Sequence, residues 1–370
     1  MEFQSTLIRY IMQTLMTGVC LSYATIMVND MQAAIIKEKQ VLVIEDVDKP
    51  EIKDNEVLVH VKASGVCGTD LHVYEGEVPI ATLPVIPGHE FCGVVEAVGD
   101  AIKDVNAGDR IAIEPNLFCG YCHFCRNAKK HFCENWQAVG LTRSGGFAEY
   151  CAVPRQAVYK MEDSLSFNDG AFFEPTACVL HGIERSHAKA GDTVVVMGAG
   201  SIGLIYVQAL KLMGIKSVIS CDIDDNKLEL AKVLGADAAL NTQNEDVPAV
   251  VKDMTLGLGA EVVVDAAGAP QTLSMAFNIV QNCGTIVVFG VPPEHLELPI
   301  KMYDIYRREI SVVGSFTNPY TNEQALKMMA TGKIKYDKIL THPIALDQVE
   351  DAILKMRDRT ETVIKAQIQF

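Results

Sequence analysis

The sequence predicts an α/β protein: a β-rich first half followed by a doubly wound parallel sheet. Three observations carry that prediction. The chain changes texture near residue 180. Between about 31 and 160 its apolar segments are short, as in Glu56-Val-Leu-Val-His-Val-Lys62, Gly93-Val-Val-Glu-Ala-Val98 and Arg110-Ile-Ala-Ile113, and Gly, Pro and Asp break them into turns. From about 181 to 316, six apolar strands alternate with helix-length segments. They are Thr193–Met197, Ser217–Cys221, Ala238–Leu240, Glu261–Asp265, Thr285–Phe289 and Ile310–Val313. Strands apolar on both faces belong to a parallel sheet covered by helices on each side. The first of these strands also runs directly into Gly198-Ala-Gly-Ser-Ile-Gly203, where a turn should open a helix.

Taken in order, the chain opens on an apolar stretch, Leu7–Val28, interrupted by Arg9, Gln13, three Thr and one Ser. A membrane anchor or a signal peptide competes here with a leader outside the fold; the latter is the expectation for residues 1–30. Met31-Gln-Ala-Ala-Ile-Ile-Lys reads as the start of a folded domain. The 370 residues are long enough for two cores, and the expected division is 31–180, 181–317, and a tail, 318–370, that returns to the first domain. A formal charge of −15 with no basic cluster argues against nucleic acid or an anionic membrane as partner. Eleven cysteines, an odd number with seven scattered singly, make a poor disulfide framework and fit a reducing, cytoplasmic setting.

The dinucleotide reading rests on context. Gly198, Gly200, Ser201, Ile202 and Gly203 lie between a strand and the apolar helix Leu204–Leu210, where backbone N–H groups and the helix N-terminus can hold a pyrophosphate. Asp222, nineteen residues beyond Gly203, ends the next strand. A carboxylate there accepts hydrogen bonds from ribose hydroxyls and repels a 2′-phosphate, so NAD is expected over NADP. A strand-end turn is the plainer role for that Asp.

Cys119, Cys122, Cys125 and Cys133 are spaced C-x₂-C-x₂-C-x₇-C. That spacing suits a tetrahedral tetrathiolate zinc, which leaves no position open for substrate and braces a loop. A C-x-x-C redox pair would leave two thiols unexplained. A second set is dispersed: Cys67 in Cys67-Gly-Thr-Asp-Leu-His72, His89-Glu90 in Pro87-Gly-His-Glu-Phe91, and Glu174 in Phe173-Glu-Pro-Thr176. One thiolate, one imidazole and a carboxylate form a zinc set with a free fourth position, although a lone Cys or His is more often core packing.

Residues 31–370 resemble the zinc-dependent medium-chain dehydrogenases, especially sorbitol and other polyol dehydrogenases with their threonine and butanediol relatives. The resemblance rests on Gly65–His72, Pro87–Glu90, Val98-Gly99, Gly108-Asp-Arg110, the four-thiol lobe, Gly145-Gly-Phe-Ala-Glu149, Glu174-Pro175 and Gly198–Gly203, in the family's order. It implies a GroES-like catalytic domain built from both chain ends around a Rossmann domain. It implies a catalytic zinc at Cys67 and His89, with Glu90 a direct or alternating ligand and Glu174 bound directly or through water. Thr69 and His72 match the family's proton relay, against the plainer roles of a turn cap and a surface histidine. The implied reaction takes hydride from a secondary alcohol to NAD, leaving a ketone. Gly314-Ser-Phe-Thr-Asn-Pro-Tyr320 lacks both the Arg-Tyr pair of sorbitol enzymes and the Gly-Arg-Glu of threonine enzymes. The expected substrate is therefore a sugar alcohol such as arabinitol or xylitol, with a vicinal diol or L-threonine as runner-up. Zinc-free quinone reductases and lens-type structural proteins share the fold, and the four retained ligand positions argue against them. The apolar edge strand Ile310–Ser315 predicts a homodimer or homotetramer.

Overall fold

A computed structural model describes residues 30–370. The expectation for the leader falls on residues 1–29 and lies outside the described residues, apart from Asp30, which opens the first strand. β1 (Asp30–Glu38) and β2 (Val41–Asp48) form a two-stranded sheet. β3 (Glu56–Val66) is the longest strand and buried along almost its whole length. The short helix α1 (Gly68–Tyr74) follows it. β4 (Glu90–Val98) and β5 (Arg110–Ile113) continue antiparallel, and β6 (Asn116–Leu117) pairs with β7 (Gln137–Ala138) beyond the cysteine lobe. β8 (Tyr150–Pro154) pairs with β3, and β9 (Val158–Lys160) closes on β5.

The helix α2 (Phe173–Ser186) leads into the second sheet. There β10 (Thr193–Met197), β11 (Ser217–Asp222), β12 (Ala238–Asn241), β13 (Ala260–Asp265), β14 (Val280–Val288) and β15 (Ser311–Gly314) lie parallel in the order β12-β11-β10-β13-β14-β15. This is the 3-2-1-4-5-6 order of a doubly wound dinucleotide fold, which places ligands at the carboxyl ends of its strands. β10 is fully buried, because α3 (Ser201–Leu212) and its neighbours cover the sheet. β14 starts earlier than its apolar run suggests: Val280–Gly284 pair in with a register shift against β13.

The chain then returns. β16 (His342–Ile344) pairs parallel with β17 (Ala366–Gln369), and β17 runs antiparallel to β3. The register sets Ala366 against Val66 and Gln367 against Gly65, while on the other side Gly65 faces Glu90. One end of β3 thus gathers three segments distant in sequence. No helix among the described residues is long and apolar enough to cross a membrane.

Candidate metal centres and dinucleotide site

Cys67 ends β3 and starts α1, and His89-Glu90 open β4, so the antiparallel β3–β4 pair brings them together. Ligand atoms of Cys67, His89 and Glu90 lie within 4.8 Å of one another. Asp70, fully buried, holds both segments in place: its Oδ2 accepts from Cys67 N at 2.8 Å and its Oδ1 from Gly88 N at 3.2 Å. The same Oδ1 lies 3.5 Å from His89 Nδ1. A carboxylate at Nδ1 leaves Nε2 as the coordinating atom, the usual outer support of a metal-binding histidine. Burial would lower the His89 pKa, but the anions of Asp70 and Cys67 hold it well above its usual value. The same negative charge attracts a cation. Thiolate, imidazole and carboxylate at this spacing fit zinc.

Glu174 stands apart from those three. It lies in the first turn of α2, and its Oε1 accepts from the Cys178 thiol at 3.1 Å. Burial pushes its carboxyl up to about 7, with His89 opposing and Glu90 adding to the rise. It is close enough to sense the site electrostatically while its oxygen is held one helical turn away. Thr69 Oγ1 lies 3.8 Å from Cys67 Sγ. His72 is exposed at the far end of α1, with Nδ1 2.7 Å from Glu77 Oε2.

Sequence reasoning missed Lys365. Its Nζ forms an ion pair with Glu90 Oε2, and both side chains are nearly inaccessible, at 4% and 2% exposure. The pair meets over Gly65, where an added Cβ would lie 2.3 Å from Glu90 Oε2 and 2.9 Å from Lys365 Cε. Only glycine leaves room there. Nothing in the local sequence around Lys365 signals this partner; the β17–β3–β4 register creates it.

The four cysteines converge as their spacing predicts. Their sulfurs lie within 4.8 Å of one another, with Cys119–Cys125 at 4.0 Å and Cys122–Cys133 at 3.9 Å. Four sulfurs at the usual zinc–sulfur distance would stand about 3.8 Å apart in a tetrahedron. Every one of them is free of a disulfide. Backbone N–H groups of Cys119 and Asn135 donate to Cys133 Sγ, both at 3.3 Å, favouring a thiolate. Cys125 is pushed up to about 12 by burial and by the neighbouring thiols, since four anions need a shared cation. The cluster fits a structural zinc.

At the dinucleotide loop, Gly200 caps α3. A Cβ on Gly203 would lie 1.8 Å from Gly198 O, so the turn closes only with glycine there. A Cβ on Gly200 meets nothing within 4 Å, so the face above the helix start is clear for a ligand's phosphates. Ser201 and Ile202 begin α3 behind it. Asp222 Oδ2 accepts from Ala199 N at 2.7 Å and Oδ1 from Ile223 N and Asp224 N at 2.8 and 3.0 Å. The carboxylate therefore also ties the glycine loop to β11, a duty its position alone did not reveal.

Comparison with known proteins agrees with this architecture. Residues 53–163 match the family model of the alcohol dehydrogenase GroES-like domain, and residues 201–331 that of the zinc-binding dehydrogenases. An alcohol dehydrogenase of Geobacillus stearothermophilus is 36% identical over 90% of this chain and 99% of its own length. D-arabitol-phosphate dehydrogenase of Enterococcus avium is 33% identical over 88% of this chain and 92% of its own. D-arabinitol dehydrogenase 1 of Uromyces fabae is 34% identical, over 84% and 90%. Among solved structures, a Sinorhizobium meliloti zinc-binding dehydrogenase bound to NADP superimposes with a TM-score of 0.87 at 36% identity, covering 92% of this chain and 99% of that one. An Escherichia coli alcohol dehydrogenase complexed with NADH gives 0.86 at 31% identity, covering 92% and 100%. With these relatives spanning nearly its full described length, the chain belongs to the zinc-binding alcohol dehydrogenase family, a GroES-like domain joined to a Rossmann fold.

Proposed function

We propose that this chain is an NAD-dependent polyol dehydrogenase that oxidises a secondary hydroxyl of a sugar alcohol to a ketone, with arabinitol or xylitol as first choice. The observation that carries the reading is the convergence of Cys67, His89 and Glu90 on one point, with Asp70 behind them. Zinc bound there supplies a Lewis acid that acidifies the substrate hydroxyl. Cys67 Sγ, His89 Nε2 and a Glu90 oxygen hold the ion; Lys365 competes for that carboxylate, and Glu174 borders the open position. Thr69 Oγ1 receives the hydroxyl proton. His72, its Nδ1 held by Glu77, passes it to water from the other ring nitrogen. The loop Gly198–Gly203 binds the pyrophosphate of NAD, and Asp222 accepts from the adenine ribose hydroxyls. Relatives named for arabinitol and arabitol phosphate support the polyol class.

The free edge of the parallel sheet, β15, carries an exposed Val312 and pairs with a second copy across a two-fold axis. Its state is a homodimer or a dimer of dimers.

The test is NADH formation by purified, zinc-loaded protein with NAD and a panel of pentitols, hexitols, 2,3-butanediol and L-threonine. A pentitol giving the highest kcat/KM is the expected result. Butanediol or threonine winning keeps the chemistry and replaces the substrate. No NADH from any alcohol overturns the reading.

A further inference from the structure

α2 is buried almost throughout, yet one stripe along it stays more accessible: Glu174, Cys178 and, at the helix end, Arg185, with His181 between them at 9%. Residues 174 and 181 are seven apart and share a face, separated by roughly 10 Å along the axis. The stripe therefore runs from the metal centre to His181, and unusual chemistry collects at that end. The His181 and His131 rings lie 5.8 Å apart, and Nδ1 of each is buried with no hydrogen-bond partner among the described residues. Ser315 Oγ and Thr317 Oγ1 are also buried without a partner among the described residues.

These groups adjoin one another. His131 and Thr317 line a common cavity, Phe132 stacks on Phe316 at 6.0 Å, and Arg185 Nε donates to Gly314 O at 3.1 Å. Unpartnered buried polar groups are costly and rare, and four so close together call for a ligand that completes them.

The loop that carries Ser315 and Thr317 is held from behind. Asn318 Oδ1 accepts from Asn116 Nδ2 at 2.8 Å, and Asn318 Nδ2 donates to Asn322 Oδ1 at 3.1 Å. Asn322 Nδ2 donates to buried Glu114, whose other oxygen accepts from Asn116 N at 2.9 Å. Thr321 Oγ1 donates to Ala177 O of α2 at 2.7 Å. Against these anchors Thr317 adopts a φ of +56°, a conformation β-branched residues avoid. The network thus fixes a strained residue whose hydroxyl has no internal use.

We propose that His131, His181, Ser315 and Thr317 form the subsite that hydrogen-bonds the distal hydroxyls of an unphosphorylated polyol while its reacting carbon sits at the metal centre. This deepens, and rests on, the polyol dehydrogenase reading. Neutral hydroxyls fit because the nearby cations are already engaged: Lys130 Nζ lies over the Phe118 and Tyr320 rings at 4.6 and 4.7 Å, and Arg185 serves Gly314. His181 itself is brought down to about 4, by burial first and then by His131 and Arg185, so its imidazole is neutral and both donates and accepts.

The experiment compares wild type with Thr317→Val, Ser315→Ala and His181→Phe, measuring kcat/KM for xylitol, xylitol 5-phosphate and 2,3-butanediol, with thermal midpoints recorded alongside. The expected result is an approximately tenfold fall in the xylitol-to-butanediol ratio for Thr317→Val and Ser315→Ala, carried by KM, at unchanged midpoints. Wild type should also prefer xylitol to its phosphate. An unchanged ratio in both hydroxyl variants overturns the subsite, as does a preference for the phosphate. Wild-type activity on butanediol but on no pentitol or hexitol overturns it too, while sparing the dehydrogenase chemistry. Silence on every alcohol removes the reading beneath it.

Discussion

Lys365 and Glu90 form a sequestered ion pair at the metal centre, joining the start of the last strand to the first residue of β4. Two charges removed from water tolerate each other but not solitude. Breaking a buried pair by removing one partner costs about 3–5 kcal/mol, whereas replacing both with neutral groups costs far less. Lys365→Met should therefore lower the urea midpoint sharply. Lys365→Met combined with Glu90→Gln should recover most of the loss. Equal midpoints for the single and double variants would show that Glu90 finds its compensation elsewhere.

Zinc content separates the two cysteine-containing centres. Wild type should hold two zinc per chain by elemental analysis, and both Cys125→Ser and His89→Asn should hold one. The losses differ in kind. Cys125→Ser removes a brace for a loop with little core of its own, so its thermal midpoint falls. His89→Asn retains the midpoint to within a few degrees and abolishes alcohol oxidation.

Asp222 answers for coenzyme choice and for the glycine loop. Asp222→Ala should raise KM for NAD and narrow the NAD-over-NADP preference by about ten- to a hundredfold, the worth of one or two hydrogen bonds to a charged acceptor. Steady-state kinetics with both coenzymes reads this. Because Ala199 N also loses its acceptor, NADP binding should improve less than the lost repulsion alone would allow.

The β15 edge sets assembly. Val312→Lys places a charge on the pairing strand, and light scattering coupled to size exclusion should show the complex falling to the mass of one chain. A wild-type protein eluting as a monomer would remove the basis of this expectation.

Much of this was legible from the sequence. Six parallel strands announced themselves as apolar runs, since burial on both faces leaves a strand no polar alternation. The four-thiol lobe was legible because its ligands are local. Cys67, His89 and Glu174 were nominated through the family resemblance, and the structure gathers the first two with Glu90 while Glu174 bonds to Cys178. What stayed invisible depends on register between distant segments. Lys365 reaches Glu90 only because β17 and β4 flank β3, and Asp70 reaches His89 only because α1 folds back over β4. The Glu114–Asn116–Asn318–Asn322 network was hidden for the same reason: an isolated Asn carries no periodic signal.

The placement of β17 has a temporal consequence. The six-stranded sheet is complete once Gly314 has left the ribosome, so it can form while synthesis continues. The seven-stranded sheet cannot. Its strand β3 emerges early but waits for Ala366–Gln369, among the last residues translated, and Glu90 waits with it for Lys365. During that interval the first-made half holds an unpaired strand flank and an uncompensated carboxylate. The nascent protein is thus most exposed to misassembly at the place where its chemistry will later reside.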